Sequence, residues 1–182
     1  MVADRDTGQL HPARYQDIAV LLPARTALPW LERELEAQGV PYRIVSRSLL
    51  YRTQEVRDLT NILAAIADPT DQVSVVAALR SPAFACRDDE LYEWSRARGH
   101  WNYQEEAPAS IPEDHPVRTA MDALRDLHQR RWWLGLNELV ETVIRERCLF
   151  EVAFAHRRPR ERWQRLRFVL DQARAFADNG GT

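Results

Sequence analysis

Apolar and polar positions alternate in two regimes along this chain, and the change comes near residue 50. Ile18 to Leu22 is an unbroken apolar run ended by Pro23, the pattern of a strand buried on both faces in a parallel sheet. A helix is expected next: Thr26 as N-cap, Pro29 in the first turn, Leu28, Leu31 and Leu35 on one face, and Gly39 as the stop. Tyr42 to Val45 completes the set as a second strand, so right-handed parallel βαβ pairing is the expectation.

From Thr53 onward only the helical period remains. Val56, Leu59, Ile62, Leu63 and Ile66 share a face up to the polar run Asp68 to Asp71. Further helices are predicted over Gln72–Arg80, from Asp88 with Leu91 and Trp94 inward, and from Pro116 with Val117, Met121, Leu124 and Leu127 inward. Leu136–Arg147 and about Arg160–Ala177 follow, the last ending at Asn179-Gly180-Gly181. Between them, Arg98 to Pro116 holds three prolines and no period, which predicts a mobile surface loop. The expected fold is therefore mainly α with a small N-terminal βαβ unit. A two-stranded parallel sheet cannot bury its own faces, so the expectation is a piece of a longer chain that carries the remaining strands.

Composition narrows the chemistry. All 25 basic residues are arginine, and a chain without lysine cannot supply a P-loop, Schiff-base or kinase-type lysine. Cys86 and Cys148 stand far apart, and His11, His100, His115, His128 and His156 lack ligand spacing, so no metal site is predicted. No catalytic set is legible. No apolar run approaches the ~18 residues of a membrane span, and a reducing, cytoplasmic setting is expected.

The stretches "DIAVLLPARTALPWLERELEAQGVPYRI", "YRTQEVRDLTNILAAIADPTD" and "LRSPAFACRDDEL" resemble the UvrD/Rep group of superfamily 1 DNA helicases, on its AddA/RecB-like side. By motif the resemblance runs from Asp17 to Leu91. The later "LNELVETVIRERCLFEVAF" and "RERWQRLRFVLDQARAF" are similar in order and character to the helical insertion of that group. The resemblance implies that residues 1–68 form the N-terminal half of the second RecA-like, P-loop NTPase type motor domain, called 2A. Residues 69–182 would be the helical 2B insertion, incomplete at its C-terminal end. It further implies ATP and Mg as cofactors of the parent protein, with none expected for this piece alone. The implied partners are single-stranded DNA and a duplex junction, the remaining motor domains of the same chain, and, left open, a helicase-nuclease partner subunit; no membrane is among them. The alternative is a stand-alone helical interaction module, or a regulatory module that binds an anion near Thr26.

Two departures bear on the implied sites. The group carries a Tyr-Arg pair after the first 2A strand, the aromatic ring stacking on adenine and the arginine meeting the terminal phosphate. Leu22 and Pro23 occupy those positions here, and Arg25, two residues on, is the remaining candidate for the phosphate. The group also carries a Gly-Ile-Gly turn against duplex DNA. Ala85, Cys86 and Arg87 stand there instead, which leaves Arg87 as a side-chain contact.

Arg160, Arg167 and Arg174 recur every seven residues on the last helix, as a phosphate-tracking stripe or as arginines paired with nearby acids. Trp132 and Trp133 follow Arg130-Arg131; the expectation is one ring buried and one at an interface rather than a stacking platform. Glu55, Arg57 and Asp58 are read as helix-end electrostatics.

Overall fold

A computed structural model describes residues 1–3, 8–24, 26–42, 51, 53–156 and 158–179. The chain divides into two compact units, Met1–Arg47 and Ser48–Thr182.

In the first unit β1 (Val2–Ala3) pairs with β2 (Leu10–His11) in an antiparallel ladder, Val2 opposite His11 and Ala3 opposite Leu10. A 3-10 turn at Tyr15–Asp17 follows, closed where the Asp17 carboxylate accepts from the Arg14 amide at 2.8 Å. The helix α1 spans Leu28–Ala37. It stops as the sequence predicts, with Gly39 at φ +64° and the Val40 amide donating back to the Leu35 carbonyl at 2.8 Å.

The first strand expected for the βαβ unit is not formed among the described residues. Ile18 to Leu22 forms no ladder among the described residues, and it is exposed rather than buried on both faces, Ile18 at 63% and Leu21 at 93%. The physical reason is the missing neighbours: a doubly buried strand needs a partner on each edge and a helix layer on each face. Of the second expected strand, residues 43–45 lie outside the described residues.

The second unit is helical. Helix α2 (Gln54–Ala67) packs on α3 (Gln72–Arg80), on α5 (Pro116–Arg130) and on α8 (Pro159–Asp178). Its face Val56, Leu59, Ile62, Ala65 and Ile66 is fully buried. The α2–α3 turn is polar and self-satisfied. Asp68 accepts from the Thr70 amide and hydroxyl at 2.8 and 2.7 Å, and Asp71 caps α3 by accepting from the Ser74 amide and hydroxyl at 3.1 and 2.6 Å.

Helix α4 (Asp88–Arg96) turns Leu91 and Trp94 into the core, with Arg87 rather than Asp88 at the cap position; the Arg87 amide donates to Glu90 at 2.7 Å. Helix α6 (Leu136–Glu146) buries Leu139, Val140, Val143 and Ile144. A short α7 (Leu149–Phe154) that periodicity did not reveal is set off by Cys148 at φ +50° and leads to Arg158 at φ +57°. Both α6 and α7 pack on α8, whose inward residues are Leu166, Leu170 and Ala173.

Residues 98–116 also depart from expectation. Tyr103 is only 1% exposed, and Ile111 and His115 are buried with it. Arg125 Nε donates to the Tyr103 carbonyl at 2.6 Å, Arg118 Nη1 to the Ile111 carbonyl at 3.2 Å, and Trp94 Nε1 to the His100 carbonyl at 3.2 Å. At its end His115 Nδ1 caps α5, accepting from the Val117 amide at 3.2 Å, with Pro116 in the first turn. Long-range anchors of this kind leave no period in the sequence, so the segment reads as a mobile loop but packs as a strap.

Candidate nucleic-acid interface

The expected phosphate contacts fall in three places. In the first unit Leu22 and Pro23 lie in the exposed extended segment, and Arg25 lies outside the described residues.

The second place is the turn from α3 to α4. The amides of Phe84 and Ala85 donate to the Ser81 carbonyl at 3.1 and 2.7 Å, and the Cys86 amide donates to the Leu79 carbonyl at 3.0 Å. This winding puts Ala85 at φ +53°, a left-handed conformation that glycine adopts without cost. The turn thus keeps a glycine-type backbone without glycine. Arg87, exposed on it, is held by acids from its own helix: Nε donates to Asp89 at 2.9 Å, Nη2 also meets Asp89, and Glu90 lies 3.7 Å away. From the far side Arg147 lays its guanidinium over the Phe84 ring, 5.0 Å from the centroid.

The third place is the outer side of α8. Arg167 and Arg174 are brought together there by Asp171, at 3.4 and 3.8 Å, and Arg174 also donates to Glu141 of α6 at 2.9 Å. Arg160 is exposed in the first turn of the helix. Arg165, between them, donates to Glu55 of α2 at 2.8 Å and to Glu161 at 3.2 Å. Burial pushes the Glu55 carboxyl up, but the Arg165 hydrogen bond, a backbone hydrogen bond, the Arg165 charge and a Thr53 hydrogen bond together hold the group below the usual value. The seven-residue spacing of the arginines does not name these partners, since Glu55 and Glu141 come from helices far away in the chain. What remains is a mixed-charge surface with arginines held in fixed directions.

Sequence reasoning also missed the turn after α5. Trp132 and Trp133 are 74% and 78% exposed, so neither ring enters the core as expected, and Arg131 stacks over Trp132 at 4.6 Å. Among the described residues no group of three His, Cys, Asp or Glu side chains is placed to hold a metal ion. No helix among them is long and apolar enough to cross a membrane.

Residues 8–94 match the family model of the UvrD-like helicase C-terminal domain. This part of the chain belongs to that family. The match takes in the first unit from Gly8, helix α2, helix α3 and the Ala85 turn, and it ends on Trp94 in α4. Curated relatives extend the likeness to the later helices. The UvrD-like chain is 27% identical over 188 residues to an ATP-dependent helicase/nuclease subunit of Geobacillus kaustophilus (strain HTA426), a match covering 96% of this chain. It is 25% identical over 189 residues to the protein of the same name from Bacillus anthracis and from Bacillus cereus (strain AH820), again over 96% of this chain. It spans about 15% of the length of these relatives.

Proposed function

We propose that this chain is part of an ATP-dependent DNA helicase or translocase that acts in double-strand-break repair or recombination in the cytoplasm. It would supply part of the 2A motor domain and most of the 2B insertion. The observation that carries this reading is the single likeness to the helicase/nuclease relatives running through 96% of the chain, first unit and helical unit alike. The apolar segment Ile18 to Leu22 supports it, because it is exposed and pairs with no strand among the described residues, as a sheet strand does when its neighbours lie elsewhere in a chain.

In this reading the nucleotide cleft, with ATP and Mg, belongs mostly to other segments of the parent protein. Arg25 is the residue of this chain assigned to the terminal phosphate. The helical unit faces DNA, with Arg87 on its turn and Arg160, Arg167 and Arg174 on α8 as phosphate contacts. Because Arg87, Arg167 and Arg174 are already paired with carboxylates, they would position a duplex rather than dominate its affinity. The rest of the motor is a partner in the same chain, and a helicase-nuclease subunit is the expected partner in trans. The exposed Trp132 and Trp133 favour one alternative, a helical protein-interaction module.

The test begins with the reading frame on either side of these residues. A Gly-Lys-Ser or Gly-Lys-Thr P-loop upstream and further motor strands downstream are expected. The full protein should then hydrolyse ATP on single-stranded DNA, and Arg25→Ala should slow turnover with little change in DNA affinity. A complete reading frame without a P-loop overturns the helicase reading, and unchanged turnover in Arg25→Ala removes that residue's role.

A further inference from the structure

An open pocket of about 440 Å³ lies on the outer face of α3, lined by Gln72, Val73, Val76, Ala77 and Arg80, with Trp101 of the strap as its remaining wall. The helix supplies the floor because residues 72, 73, 76, 77 and 80 follow one another at helical spacing. Trp101 is set beside it by the strap, whose preceding residue His100 is fixed by Trp94, and it packs partly against the core. Val73 is 81% exposed, so α3 shows an apolar side chain to solvent at the pocket mouth.

The polar groups are at the rim. Arg80 donates to the Asp88 carboxylate from Nε at 2.8 Å and from Nη2 at 3.2 Å, a side-on pairing that leaves its Nη1 without a hydrogen bond among the described residues. That pairing also fixes the direction of the guanidinium. The Gln72 amide, exposed, brings one donor and one acceptor in a single plane. An aromatic face, small aliphatic walls, a planar amide and a directed guanidinium match the parts of a nucleotide: a flat ring to stack, an edge to pair, and an adjoining phosphate. A purely aliphatic partner would use neither Gln72 nor Arg80.

We propose that this pocket takes one unstacked nucleobase of single-stranded DNA, with Trp101 as the stacking wall, Gln72 at the base edge and Arg80 on the neighbouring phosphate. The choice of DNA as the source of the base rests on the helicase reading above; the stacking chemistry does not.

Fluorescence anisotropy of a labelled oligodeoxyadenylate, titrated with the whole chain at low ionic strength, tests it. Trp101→Ala should weaken binding roughly tenfold, the size of one lost base–aromatic stack, while Trp101→Phe keeps most of the affinity. Arg80→Ala should weaken binding severalfold and, because Asp88 already offsets the guanidinium charge, flatten the dependence of log affinity on log salt by less than one phosphate contact. Val73→Glu guards against a folding artefact: the residue is exposed, an acid in a first helical turn is favourable, and a carboxylate at the pocket mouth should repel the strand at least tenfold. Far-ultraviolet circular dichroism should match the wild type. Wild-type affinity in Val73→Glu, or no binding by the wild-type chain, overturns the pocket. If the full protein nevertheless hydrolyses ATP on DNA, the helicase reading stands without it.

Discussion

The Tyr103 hydroxyl donates to the carbonyl of Ala65 at 2.7 Å, joining the strap to the C-terminal turn of α2 across 38 positions of sequence. His128 Nδ1 meets the next carbonyl, that of Ile66, at 2.7 Å, and Arg131 approaches the same carbonyl at 3.5 Å. The last carbonyls of a helix have no partner within it, and here α5 and the strap supply side-chain donors. Burial pushes the Tyr103 hydroxyl well above the usual phenol range, so it stays a donor at any pH the protein meets.

Removing that hydroxyl leaves a buried carbonyl short of its best partner while the ring still fills its site. Tyr103→Phe should therefore lose about 1–2 kcal/mol of stability, read as a lower urea midpoint at unchanged slope. Amide exchange should quicken in residues 101–111. A midpoint equal to the wild type would show that the strap is held by apolar packing alone.

The Glu55–Arg165 pair ties the start of α2 to α8. Because the native carboxyl titrates below its unfolded value, its contribution is complete above the ordinary carboxylate range and is lost as pH falls through the lowered native value. Glu55→Gln should cost on the order of 1 kcal/mol at pH 7, allowing for the partly exposed arginine. Unfolding curves of the two proteins should converge as the pH is taken below 4. A difference constant with pH would place the effect in packing instead.

Ala85 holds a left-handed backbone that costs a side chain about 1 kcal/mol relative to glycine. Ala85→Gly should raise stability by roughly 0.5–1 kcal/mol, less the extra entropy of an unfolded glycine. Thermal unfolding measures it, and a lower midpoint would mean that the Ala85 methyl contributes packing that outweighs the strain.

The two cysteines should separate cleanly by reactivity. Burial, with a smaller push from the Glu90 charge, raises the Cys86 thiol to about 11, whereas Cys148 is exposed at the break between α6 and α7. At pH 8 a disulfide reagent such as DTNB should label Cys148 in the native chain and Cys86 only in denaturant. Fast native labelling of both would show that the turn carrying Cys86 opens readily.

Much of the helical unit was legible in sequence because its helices are amphipathic. Gln72–Arg80, the Pro116 start, the α2 face and the stop at Gly39 follow from local period, caps and glycine, and the motifs around residues 17–91 pointed to the UvrD-like family. The same rules failed where the stabilising partner is distant. Ile18 to Leu22 has the pattern of a buried strand, but a strand exists only in its neighbours' hydrogen bonds, and among the described residues none pairs with it. The arginines of α8 look like a cationic stripe until Glu55 and Glu141 arrive from other helices.

The sequence by itself determined the longer helices of the second unit, the absence of lysine chemistry from these 182 residues, and the family of residues 8–94. Those properties are written within a few turns of chain or in residue identity alone. Tertiary structure alone decided that residues 98–116 fasten down through Tyr103, that Trp132 and Trp133 both face solvent, and that Trp101 stands over α3. Each depends on which surfaces meet after the helices pack. A helical period fixes the face a residue occupies, and only the packed neighbours fix what that face touches.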